Sequence, residues 1–72
     1  MNILVGQIWM WPTTPYLTWK VIRKGTQHKC WDLEECNVAS PRIVKNHPYE
    51  AFKNAKLVKD VFVISDFILS IN

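Results

Sequence analysis

The first nineteen residues of this 72-residue chain carry no charged side chain, the whole chain has only two glycines, and no apolar run is long. Each lack excludes something. Crossing a bilayer takes about 20 consecutive apolar residues, so no membrane segment is expected. Gly6 and Gly25 stand alone, which leaves no glycine-rich loop to cradle a phosphate. The uncharged N-terminus has no basic region, its apolar run is broken by Gly6 and Gln7, and Pro12 and Pro15 follow, so a secretory signal is not expected. These absences predict a soluble cytoplasmic protein whose Cys30 and Cys36 are reduced thiols.

What is present is apolar bulk. Hydrophobic residues make up 49% of the chain and aromatics 12%, with four tryptophans. A chain this short has room for one domain, residues 1–72, and buries only about 60% of its unfolded surface, so its core must be built from large side chains. The net charge of +3 permits nucleic acid or acidic protein partners without demanding either. Its distribution is uneven. Residues 20–29 hold four cations and no acid, residues 32–35 hold Asp32, Glu34 and Glu35, and the chain turns basic again from Arg42 to Lys59.

The region from Val5 to Lys24 organises the reading, because its β-branched and aromatic content suits a half-buried pleated surface. Residues 4–11 predict a first strand with Gly6, Ile8 and Met10 on one face and Val5, Gln7, Trp9 and Trp11 on the other. Pattern leaves open which face is buried. If Ile8 and Met10 point inward, Trp9 and Trp11 form an exposed aromatic pair; alternatively at least one of them is core. Pro12-Thr13-Thr14-Pro15 predicts a rigid connector, and Tyr16–Lys24 a second strand with Leu17, Trp19 and Val21 inward.

Gly25 is expected to supply a positive φ in the next turn. A third strand, His28–Glu35, is expected to point Trp31 and Leu33 inward and His28, Cys30, Asp32 and Glu34 outward. Residues 37–41 read as a loop and 42–45 as a short fourth strand. The stretch from His47 to Asn54 carries helix start and stop signals, with Tyr49 and Phe52 on its buried face. Residues 56–64 read as a fifth strand. Residues 65–72 are strand or helix, which periodicity cannot separate in so short a run.

The succession Gly-Gln-Ile-Trp, a short turn, Tyr-Leu-Thr-Trp-Lys-Val-Ile, then Cys-Trp-Asp-Leu, and a helical turn before Lys-Leu-Val resembles the small Src-homology-3-like β-barrels over residues 4–59, including those of short bacteriophage-encoded proteins. The resemblance implies a mainly β fold: a five-stranded barrel with one short helix before the last strand, followed here by an apolar C-terminal extension. It also implies binding in place of catalysis. Two features depart from the pattern, the loop with two prolines and the hydrophobic tail.

The candidate chemistry is sparse. Five residues separate Cys30 from Cys36, against the two to four of the usual zinc knuckle, so His28 and His47 are not expected to join them around a metal, and no cofactor is expected. A cysteine–histidine nucleophile would need an oxyanion site and an orienting third group, for which a chain of this size has little volume, so no enzyme activity is expected. Asp32 and Glu34, alternating along strand three, read as solvated charges that discourage edge association. Two binding readings are left. An accessory protein of phage type would bind and modulate a host protein through apolar anchors Trp9, Trp11, Phe67 and Ile68. Alternatively, Lys20, Arg23, Lys24, Lys29, Arg42 and Lys45 would track the phosphates of a nucleic acid. The segment 61–71, apolar at eight of eleven positions, could also join copies of the chain into a homo-oligomer.

Overall fold

The computed structural model describes residues 2–61. Five strands, β1 (Ile8–Met10), β2 (Trp19–Lys24), β3 (Cys30–Glu35), β4 (Ile43–Pro48) and β5 (Lys56–Lys59), form one antiparallel sheet in the order β4-β3-β2-β1-β5. A single 3-10 helix, Tyr49–Asn54, connects β4 to β5. The mainly β architecture with one short helix is therefore as expected. The strands are shorter than pattern suggested at β1 and β2, and β4 is longer, extending through His47 and Pro48. The tail residues Phe67 and Ile68, and the question of strand or helix at 65–72, lie outside the described residues.

The face carrying Gln7, Trp9 and Trp11 is the buried one. Ile3, Trp9, Val21, Leu33 and Phe52 form the core, with Trp11, Trp19, Trp31, Tyr49 and Ala55 packed against it. Phe52 is fully buried and meets Trp9 edge-on at 5.4 Å between ring centres, Trp11 at 5.3 Å and Trp31 at 6.0 Å. One phenylalanine from the 3-10 helix thus packs among three tryptophans, Trp9 of β1, Trp31 of β3 and Trp11 just past β1, which is how so short a chain encloses apolar volume.

Three register steps distort the sheet. Val58 is the extra residue where β5 meets β1, Ile22 is extra between β2 and β3, and the β4 segment Lys45–Asn46 takes an additional residue against β3. The last two flank Asp32 from both sides. Asn46 sits there at φ 56°, a left-handed conformation that asparagine tolerates better than most residues. Gly25 does not have the positive φ expected of it; Lys29, at φ 54°, carries it in that turn. Gly25 is needed for space. A Cβ there would lie 2.4 Å from Asn46 Oδ1 and 3.1 Å from the Cys30 carbonyl oxygen.

Candidate functional site

Between the β1–β2 connector, β4 and the 3-10 helix lies a cleft of about 390 Å³. Leu33, Val44 and Ala51 provide aliphatic surface, Trp11, Trp19 and His47 aromatic surface, and Thr13, Thr14 and Asn54 hydroxyl and amide groups. Its size and mixture suit a small ligand or an inserted side chain, since such sites are mostly apolar with few polar groups. Among the described residues, no carboxylate, lysine, arginine or cysteine lines it.

Local hydrogen bonds set the walls. Trp11 Nε1 donates to the Ala51 carbonyl at 2.8 Å, which ties the end of β1 to the helix. Thr14 N–H donates to Trp11 O and Leu17 N–H to Thr14 O, so two successive turns, stiffened by Pro12 and Pro15, hold the threonines at the cleft. The Arg42 guanidinium lies 5.8 Å from the centre of the Trp19 ring, within cation–π range. Arg42 is itself clamped by Glu35: Nε and Nη2 donate to its two carboxylate oxygens at 2.7 and 2.9 Å.

His47 is the titratable member of the lining. Its ring packs edge-on against Trp11 at 4.9 Å and Phe52 at 5.6 Å. Its Nε2 is buried and has no hydrogen-bond partner among the described residues. Burial among aromatic rings pushes its pKa below the ordinary imidazole range, which favours a neutral ring. An aromatic wall of Trp11, Trp19 and His47 can hold an apolar group.

Asp32 is not the solvated charge expected of it. Asp32 and Glu35 are buried, because Asp32 faces the two register steps and Glu35 faces the loop that returns at Arg42. Asp32 accepts the Asn46 backbone N–H at 2.9 Å and Arg23 Nε at 2.7 Å, and its carboxyl is held below the usual range by these contacts, the Asn46 N–H foremost. Glu35 is held low chiefly by the Arg42 side chain, whose own pKa is raised in return.

This pairing changes the candidate cationic surface. Of the six residues considered for phosphates, Arg23 and Arg42 are committed to buried carboxylates, while Lys20, Lys24, Lys29 and Lys45 are exposed. Lys20 also lies opposite Glu34 across β2 and β3. Among the apolar anchors considered, Trp9 is only 4% exposed and belongs to the core, its Nε1 donating to Gln7 Oε1, so it cannot serve as a surface anchor. Trp11 is half-buried and at the cleft.

Sequence reasoning missed Thr13, Thr14, Val44, Ala51, Asn54 and the role of Trp19 in the cleft. The available signals were the fixed geometry of Pro-Thr-Thr-Pro and the position of His47 directly before the helix, but convergence of the three segments needs the sheet. Cys30 is buried with its Sγ 3.5 Å from the His28 carbonyl, and Cys36 is half-buried. Among the described residues no three histidine, cysteine or acidic side chains are grouped to hold a metal, and no helix is long and apolar enough to cross a membrane. No protein-family model matches the chain, and neither curated proteins nor solved structures include one with significant similarity to it. The class that the fold and the cleft define is a small mainly β domain with an aromatic-walled site.

Proposed function

We propose that the protein is a non-catalytic binding module whose Trp11–Trp19–His47 cleft receives an apolar side chain of a protein partner. The observation that carries this reading is the uncharged, aromatic-walled cleft with hydroxyl and amide groups among its lining. The attribution to an accessory protein of phage type, acting on a host protein in the cytoplasm, leans on the resemblance over residues 4–59. Five antiparallel strands with one helical turn before the last support the Src-homology-3-like barrel within that reading.

Selection from a random peptide library tests the cleft. Bound peptides should be enriched in an aromatic or leucine side chain, and should lose at least about tenfold in affinity on Trp19→Ala in a variant whose circular dichroism shows it folded. Their binding should change little between low and high salt. The rival outcome is oligonucleotide binding in a polarisation titration that weakens steeply with salt and with Lys20 and Lys24 neutralised; that result would replace the protein-binding reading with nucleic acid recognition. Homo-oligomerisation through residues 61–71 is a separate proposal, read from sedimentation at several protein concentrations.

A further inference from the structure

The two edges of the sheet differ in how they meet solvent. On one side, β4 carries the register step at Lys45–Asn46, turns the Asn46 N–H inward to Asp32, and ends on Pro48, which has no N–H to offer. These devices blunt an edge. On the other side, β5 pairs among the described residues with β1, is four residues long with a lysine at each end, and carries its own extra residue, Val58; all four of its residues are exposed. With all four residues exposed, no described residue fully covers either face of the strand. Leu57 and Val58, 41% and 53% exposed, stand in its middle between Lys56 and Lys59.

We infer that the β5 edge is a docking strand for an extended segment of a partner protein that carries two apolar residues flanked by acids. The motif Lys-Leu-Val-Lys selects that occupant by charge. A second copy of β5, antiparallel and centred between Leu57 and Val58, would set Lys56 opposite Lys59 at both ends, and like charges directly opposite destabilise a strand pair. An acid-flanked strand in the same register turns both repulsions into attractions. The surroundings point the same way. Lys59, Ile8, Lys20 and Glu34 stand in one row across β5, β1, β2 and β3, with Lys20 opposite Glu34, and neither Lys56 nor Lys59 has an ion-pair partner among the described residues. The nearby acid Asp60 is engaged by Gln7 Nε2 and by the Val61 N–H. Main-chain hydrogen bonds would supply affinity, and the charge pattern the choice of partner. This site is independent of the cleft, so failure of either leaves the other standing.

The test is a titration of the full-length, isotope-labelled chain with the synthetic peptide Ser-Glu-Val-Ile-Glu-Ser, and with its counterpart bearing lysine in place of each glutamate. The expected result is amide shift changes centred on 56–59, slower exchange of amide hydrogens there, and at least about tenfold preference for the acidic peptide, as the gain and loss of two exposed ion pairs would give. The double variant Lys56→Glu, Lys59→Glu should reverse that preference. Both lysines are exposed, so the variant should fold, and its unchanged shifts around Trp11 and Trp19 would show it. The inference is overturned by equal binding of the two peptides, by no binding at millimolar peptide, or by shifts confined to Thr13, Thr14 and Trp19. It is also overturned by nuclear Overhauser contacts in the free chain that place residues 62–72 along β5, or by a concentration-dependent dimer joined at β5.

Discussion

At the scale of single residues, the two glycines do different work and respond differently to substitution. Gly25→Ala would push a methyl group into Asn46 Oδ1 and against the Cys30 carbonyl, and is expected to destabilise by about 1–3 kcal/mol in urea unfolding. Gly6, at φ 100° with Val61 Cγ1 only 2.7 Å from a built Cβ, adds backbone strain to the steric conflict, so Gly6→Ala should cost more than Gly25→Ala. Titration is also a matter of single side chains. His47 has a lowered pKa in the fold, so the unfolded chain binds its proton more readily. Its contribution is fully present above about pH 6.5 and is lost as pH falls from there toward the folded value. Asp32, Glu35 and Asp60 are likewise lowered, and their contributions are present above the ordinary carboxylate range near pH 4 and lost below it. Stability should therefore fall in two stages as pH is lowered, and His47→Phe should remove the upper one, which sets in as pH falls below about 6.5, while leaving the lower one; an unchanged upper stage would exclude His47 as its source.

At the scale of elements, the β3–β4 junction depends on one asparagine. Asn46 holds φ 56°, gives its N–H to Asp32, and accepts from the Gln27 N–H at 3.2 Å through its side chain, which joins the β4 step to the β2–β3 turn. Asn46→Ala removes the side-chain link and raises the backbone cost, for an expected loss of about 1–3 kcal/mol. Asn46→Gly should lose less, because glycine adopts that φ freely. Thermal unfolding of the pair separates the two contributions, and equal losses would place the whole effect in the side-chain link. This junction also explains what strict alternation could not reveal. The inward assignment of Val21 and Leu33 was legible because those positions keep period two, whereas Asp32 reads as outward until the steps on both neighbouring strands turn it toward Arg23 and Asn46. The helical signal at 47–54 was legible too, although the element begins at Tyr49 and is 3-10.

For the whole molecule, the balance rests on a small core around Phe52. A domain of this size has a total stability of about 4–10 kcal/mol. Phe52→Ala leaves a cavity among three tryptophans and the His47 ring, and its expected cost of about 3–5 kcal/mol approaches that total. The variant should be largely unfolded near 37 °C by circular dichroism, while Phe52→Leu should remain folded with a lowered midpoint. Retention of wild-type stability by Phe52→Ala would show that the three tryptophans pack without it. The same core bounds function, because Trp9 is consumed in it and leaves Trp11 and Trp19 to face the cleft.

Composition and local pattern determined that residues 2–61 are mainly β, where their turns fall, and that Val21, Leu33 and Phe52 are interior, because those features follow from side-chain volume and from periods of two and three along the backbone. Only the tertiary structure decided which face of β1 is buried, which cations remain available, and that Trp11, Trp19 and His47 meet. Those outcomes depend on register. Single-residue steps between strands move a charge from solvent to interior, and the cleft joins segments more than thirty residues apart in the chain.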